Sequence, residues 1–251
     1  MAKKSKICVL VLLATFLAFG NIYAQKAVKE PFNKGIGYMT QGKFDEAIVE
    51  FSKAIEINPN DAEAYSNRGL AYYSKGNYDQ AIVDYNKAIE LKPNFATAYN
   101  NRGQAYFAKG NYGQTISDCT KAIEINPNYP EAYSLRGSAY VYKGNLGQTI
   151  SDCTKAIEIN PNYAGAYSLR GSAYGEKGNY DQSISDSSKA IQLDPNDGQA
   201  YAIRGLAYCS RGEYDRAWED VHKVESSGAK VDPVFFKKLK EELKKASGRE
   251  K

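Results

Sequence analysis

Few residues of this 251-residue chain are equipped for chemistry, and their spacing decides what kind. The single histidine, His222, stands between Val221 and Lys223 with no second histidine to share a proton relay or a metal ion. Four cysteines, Cys8, Cys119, Cys153 and Cys209, are too dispersed for the paired spacings of a zinc site. The 21 glycines recur at fixed intervals instead of clustering into a phosphate-cradling loop. We therefore expect no enzyme, no metal and no cofactor. What does recur is amide chemistry: Asn33, Asn67 and Asn101 follow one another at a constant step, which continues as Leu135, Leu169 and Ile203. An asparagine side chain both donates and accepts, so a row of them can pair with the backbone of an extended peptide whatever its sequence. Beside the row, Asn100 and Gln104 add polar reach, and Tyr73 and Phe107 add apolar contact.

The step is 34 residues and holds without insertion. Asn-Arg-Gly begins at 67 and 101, Leu-Arg-Gly at 135 and 169, and Ile-Arg-Gly at 203. Pro59, Pro93, Pro127, Pro161 and Pro195 keep the same step, as do Gly42, Gly76, Gly110, Gly144, Gly178 and Gly212. Six units follow, at 28–61, 62–95, 96–129, 130–163, 164–197 and 198–231. Within unit 62–95, Tyr65, Gly69 and Tyr72 fall at helical intervals, and Ala81, Tyr85 and Ala88 repeat the pattern, so each unit reads as two amphipathic helices. Gly76-Asn77 ends the first helix and lets the second start near Tyr78. Pro93 lacks an amide hydrogen and disfavours helix in the residue before it, so it ends the second. Gly69, Ala81 and Ala88 let the backbones approach while tyrosines fill between them. One such pair leaves an apolar face open, which stacked neighbours cover.

A bulky residue, then Gly, Tyr, Ala, an aromatic, Ala and Pro at fixed offsets in 34 residues resembles the tetratricopeptide-repeat family. Tyr65, Gly69, Tyr72, Ala81, Tyr85, Ala88 and Pro93 carry the resemblance, which spans 28 to about 231. It implies an all-α solenoid of six helix-turn-helix units, holding a partner on a concave surface built by the first helices. In the family that surface uses the second, fifth, sixth, ninth, twelfth and thirteenth positions of the unit, which places the asparagine row and its aliphatic continuation in a groove. Members that clamp the acidic C-termini of chaperones carry Lys at position five and Asn at position nine of the first unit. Here those positions are Phe32 and Ile36, so a neutral or mixed-charge peptide is the better expectation, its bulky side chains against Leu135, Leu169 and Ile203.

Departures mark edges and soft spots. Pro31 replaces the tyrosine of unit one, and Val221, Val224 and Ala229 replace the aromatic, alanine and proline of unit six, as suits the ends of a stack. Units three to five put Thr115, Thr149 and Ser183 where Ala81 stands, and Cys119, Cys153 and Ser187 where Tyr85 stands, which predicts softer packing there. Asp232-Pro233 is a helix-start signal, and Phe235, Phe236, Leu239 and Leu243 then recur at helical spacing, so 232–251 reads as a capping helix and tail.

The first 24 residues stand apart. Lys3, Lys4 and Lys6 precede an apolar run from Ile7 to Phe19, the layout of a secretory signal peptide. Thirteen residues of helix reach only about 20 Å against a hydrocarbon core of roughly 30 Å, so no stable span is expected after cleavage behind Ala24. Removing three lysines leaves 30 basic against 29 acidic residues, a balance that does not ask for nucleic acid. The arginines at 68, 102, 136, 170 and 204 lie beside tyrosines, yet Asp84, Asp118, Asp152, Asp186 and Asp220 recur with them as internal partners. Cys119 and Cys153 are equivalent positions of adjacent units; packed helices lie about 8 to 10 Å apart and a disulfide needs Cα atoms within about 7 Å, so we expect free thiols. The reading is a non-enzymatic protein- or peptide-binding scaffold, periplasmic or secreted. A self-associating component of an envelope complex is the alternative.

Overall fold

The computed structural model describes residues 29–248, so the signal-like segment 1–24 lies outside the described residues. The described chain is helical apart from turns and one isolated parallel bridge between Asp197 and Lys230. It forms two compact bodies, divided between Lys109 and Gly110. The first holds α1 (29–40), α2 (Phe44–Ile57), α3 (Ala62–Ser74), α4 (Tyr78–Leu91) and α5 (Ala96–Ala108). The second holds α6 (Tyr112–Ile125), α7 (Pro130–Tyr142), α8 (Leu146–Ile159), α9 (Ala164–Glu176), α10 (Tyr180–Leu193), α11 (Gly198–Ser210), α12 (Tyr214–Ser227) and α13 (Pro233–Ser247). Six helix-turn-helix units and a capping helix account for all thirteen, an all-α solenoid architecture.

The ends of the helices follow from the repeated punctuation. Gly42, Gly76, Gly110, Gly144, Gly178 and Gly212 all take φ between 70° and 81°, a left-handed conformation open to residues without a Cβ. At the second of these, Gly76 N–H donates to Tyr73 O (2.8 Å) and Asn77 N–H to Tyr72 O (2.9 Å), closing α3. Asn58, Lys92, Asn126, Asn160 and Asp194 each precede a proline and turn extended, with φ from −130° to −136°, so α2, α4, α6, α8 and α10 stop at the preceding residue. Restarting is capped as well: the Asp61 carboxylate accepts from Glu63 N (3.0 Å) and Ala64 N (3.1 Å) at the head of α3.

Small residues set the helix spacing. A Cβ added at Gly69 would stand 2.9 Å from the Tyr85 ring and 3.2 Å from Ala81 O, so α3 meets α4 at backbone range with the fully buried Tyr85 beside it. In the second body the same seam changes chemistry. Thr149, fully buried, shares its hydroxyl hydrogen between Gly137 O (3.0 Å) and Asn145 O (3.2 Å), which satisfies the polar group inside the helix pair. Ser183 and Ser187 of α10 are equally buried, and their hydroxyls have no hydrogen-bond partner. Threonine at this position is thus hydrogen-bonded inside the pair in unit four, whereas the serines of unit five are not.

An arginine fork ties successive helices together. Arg136 donates through Nε and Nη2 to the Asp152 carboxylate at 2.9 and 2.8 Å, and through Nη1 to Thr120 Oγ1 at 3.0 Å, joining α7, α8 and α6. Arg68 does the same with Asp84 and Ser52, Arg170 with Asp186 and Thr154, and Arg204 with Asp220 and Ser188. Bidentate pairing to a buried carboxylate holds each guanidinium firmly protonated and fixes its direction. At the C-terminal end the Asp232 carboxylate accepts from Phe235 N (2.7 Å) to start α13, whose Leu239 and Leu243 bury against Ala202, Trp218 and Val221.

Candidate partner-binding site

Amide and aromatic side chains gather on the first helices of the first body. Asn33 is exposed; Asn67, Asn101, Gln104, Tyr73 and Phe107 are half-buried. Asn67 Nδ2 donates to Glu63 O within its own helix (2.8 Å), which leaves its Oδ1 as the atom for an incoming N–H. Tyr73 packs onto the Ala81, Tyr85 and Ala105 cluster with its ring 5.5 Å from that of Tyr78, and burial raises its phenol pKa. Asn100 departs from expectation. It is 2 % exposed, with Oδ1 lacking a hydrogen-bond partner, because position five faces inward: Ser66, Ser134, Ser168 and Ala202 are buried too. Asn100 is thus a core residue and cannot read a ligand from the surface. Phe32 is likewise committed, packing edge-on to Phe51 at 5.7 Å, while Ile36 stays 37 % exposed.

The aliphatic row belongs to the second body and is less open. Leu135 and Leu169 are half-buried, and Leu169 Cδ2 would lie 3.6 Å from a Cβ placed on Gly137, so this position seats against the preceding unit's glycine. Ile203 is only 5 % exposed, yet it lines a cavity of about 230 Å³ between α9, α10, α11 and α13. Sequence reasoning missed that cavity. Its one sequence signal is Gly175, which stands where the other units carry Met39, Tyr73, Phe107, Val141 and Cys209.

The groups that could have suggested other chemistry are engaged locally. Arg68, Arg102, Arg136, Arg170 and Arg204 each lie over the tyrosine three residues earlier, at 5.4 to 5.7 Å, and four of them fork onto aspartates as above. His222 is exposed, with Nδ1 3.6 Å from a Glu225 carboxylate oxygen and its ring stacked on Trp218. Cys119 and Cys153 are buried free thiols and Cys209 is a half-buried one. Burial pushes the Cys153 thiol up to about 12 and that of Cys119 higher still. Among the described residues, no group of three or more His, Cys, Asp or Glu side chains converges, and no helix is long and apolar enough to cross a membrane.

Models of the tetratricopeptide repeat match residues 37–76, 69–110, 96–129, 130–163, 153–185 and 188–219. The chain belongs to the tetratricopeptide-repeat family. Repeats of this family mediate protein–protein interaction on a fold that is generally a non-enzymatic scaffold. Among solved structures, this repeat protein is similar to MamA, with 30 % identity and a TM-score of 0.59 over 64 % of this chain and 94 % of that one. It is also similar to YrrB, described as a tetratricopeptide-repeat protein with an unusual peptide-binding site, with 25 % identity and a TM-score of 0.60 over 76 % of this chain and 97 % of that one. PilF of Pseudomonas aeruginosa shares the fold, at 16 % identity and a TM-score of 0.76 over 87 % of this chain and 99 % of that one. No curated protein matches the sequence.

Proposed function

We propose that this repeat protein is an exported scaffold that holds a segment of a partner protein along its first helices. The observation that carries the reading is the surface of the first body, where Asn33, Asn67, Asn101 and Gln104 offer amide groups next to the half-buried rings of Tyr73 and Phe107. Amides match a peptide backbone, and the rings add apolar contact without demanding one sequence. Four of the five repeat arginines that would draw an acidic or nucleic-acid ligand pair with internal aspartates, and Arg102 donates to Asn86, which favours a neutral or mixed-charge segment. The basic and apolar layout of residues 1–24 supports action in the periplasm or outside the cell.

Capture from a native extract tests the reading. The tagged chain is compared with its Asn33→Ala, Asn67→Ala, Asn101→Ala triple variant, and bound proteins are identified from each. A partner held by the parent and lost from the variant supports the reading. Equal capture by both would sink the asparagine row, and recovery of the chain alone in a higher assembly would favour the self-associating alternative.

A further inference from the structure

The 34-residue period supplies an internal comparison for the cavity of the second body. In unit two the ring of Tyr73 lies 5.5 Å from that of Tyr78, tilted by 51°, and packs on the cluster of Ala81, Tyr85 and Ala105. Three periods later the equivalents of Tyr73, Tyr78, Ala81 and Ala105 are Gly175, Tyr180, Ser183 and Ala207, and all four line the cavity of about 230 Å³. The aromatic has been deleted; of the groups that receive it in unit two, the tyrosine and one alanine recur as Tyr180 and Ala207, while Ser183 replaces Ala81 and Ser187 replaces Tyr85. Ile203, Leu206 and Phe235 complete the apolar lining, the last contributed by the capping helix. The Ser183 hydroxyl lines the same cavity, is fully buried and has no hydrogen-bond partner; it lies 3.1 Å from the place a Gly175 Cβ would take. An unsatisfied buried hydroxyl beside an unfilled space marks a site left incomplete by the chain itself.

We propose that this cavity is a slot for one aromatic side chain of a partner protein, which takes from outside the place that Tyr73 takes from within. The inference rests on the partner-binding reading and adds what the partner must carry. Size agrees with one side chain: the volume is several times the roughly 30 Å³ share of a water molecule and falls below the roughly 300 to 1,000 Å³ of sites that enclose a whole small molecule. Chemistry agrees as well. Tyr180 presents a ring for offset or edge contact, and aromatic pairs gain beyond the area they bury. Charge at the mouth is nearly balanced, with Lys238 3.8 Å from Glu242 and Glu176 exposed beside them, so selection falls on the ring.

The test uses saturation-transfer NMR on the whole chain with three blocked pentapeptides, Ser-Gly-X-Gly-Ser, where X is Phe, Leu or Ala. Transfer to the phenylalanine ring is expected to exceed transfer to the leucine side chain at least fivefold. In the Gly175→Tyr, Ser183→Ala variant, which restores the unit-two residues at those two positions, it should disappear while helicity and unfolding midpoint hold or rise. A second variant, Tyr180→Leu, removes the aromatic wall without filling the slot and should weaken the phenylalanine signal severalfold. Equal transfer to Phe and Leu, no transfer to either, or a signal that survives in both variants would overturn the slot. Because no cellular partner enters this measurement, its failure leaves the capture experiment standing on its own.

Discussion

Gly69 and Gly37 lie in the first helices of adjacent units and should answer the same substitution in opposite directions. A methyl group at Gly69 meets the Tyr85 ring and the Ala81 carbonyl, so Gly69→Ala is expected to cost about 1–3 kcal/mol as the helix pair is forced apart. Gly37 has nothing within 4 Å of an added Cβ and stands where the other units carry alanine, so Gly37→Ala should stabilise by about 0.5–1 kcal/mol. Urea unfolding midpoints of the two variants check both signs. The arginine fork makes a similar point about geometry over charge. Arg136→Lys keeps the cation but cannot fork onto Asp152, whose side chain is 2 % exposed, and is expected to lose about 1–3 kcal/mol by the same assay. The thiols give a pH signature. Burial holds Cys119 and Cys153 above their unfolded range, so the stability they contribute as neutral thiols is whole below the unfolded pKa of about 8.5. It drains as pH rises through that value toward about 12, because the unfolded chain releases protons that the folded chain keeps. Cys153→Ala should therefore soften the alkaline fall of the melting midpoint relative to the parent, and at neutral pH a thiol reagent should label Cys209 well before the other two.

At the scale of elements, the boundaries were legible because each is fixed by a residue that cannot do otherwise. Pro93 and its equivalents stop one helix, a left-handed glycine stops the next, and first helices begin at Ala62, Ala96, Pro130, Ala164 and Gly198. Which face of a helix a side chain occupies was less legible. Asn100 looked like a surface amide beside Asn101, yet one position along a helix turns a side chain by about 100° and sends it into the seam between neighbours. The cavity in unit five was hidden for a different reason. A glycine shows only what it lacks, and the consequence of Gly175 depends on where the Tyr73 ring lands, which no single-sequence pattern states. The capping helix α13 follows from its aspartate cap and its apolar spacing. Its packing should dominate its anchoring: Leu239→Ala is expected to cost about 2–5 kcal/mol, and Asp232→Ala about 1 kcal/mol through the lost cap. Hydrogen exchange checks this directly, since amides of α11 to α13 should lose more protection in the first variant than in the second.

For the molecule as a whole, repetition accounts for most of what the chain is. All six units contribute a glycine turn, the first five a proline stop, and the units of Arg68, Arg136, Arg170 and Arg204 an arginine fork; under the proposed reading, function falls to side chains that the repeat does not prescribe. On that reading they lie on the first helices, where Asn33, Asn67, Asn101, Gln104, Tyr73 and Phe107 stand. The second helices offer a competing face, since Val83 of α4 is 66 % exposed and Val49 of α2 is 53 % exposed. Site-specific photo-crosslinking in the native cell separates the two faces. With the crosslinker at Gln104 in one chain and at Val83 in another, the account predicts covalent capture of a partner from Gln104 and none from Val83. Capture from Val83 alone would contradict it and move the binding surface to the second helices.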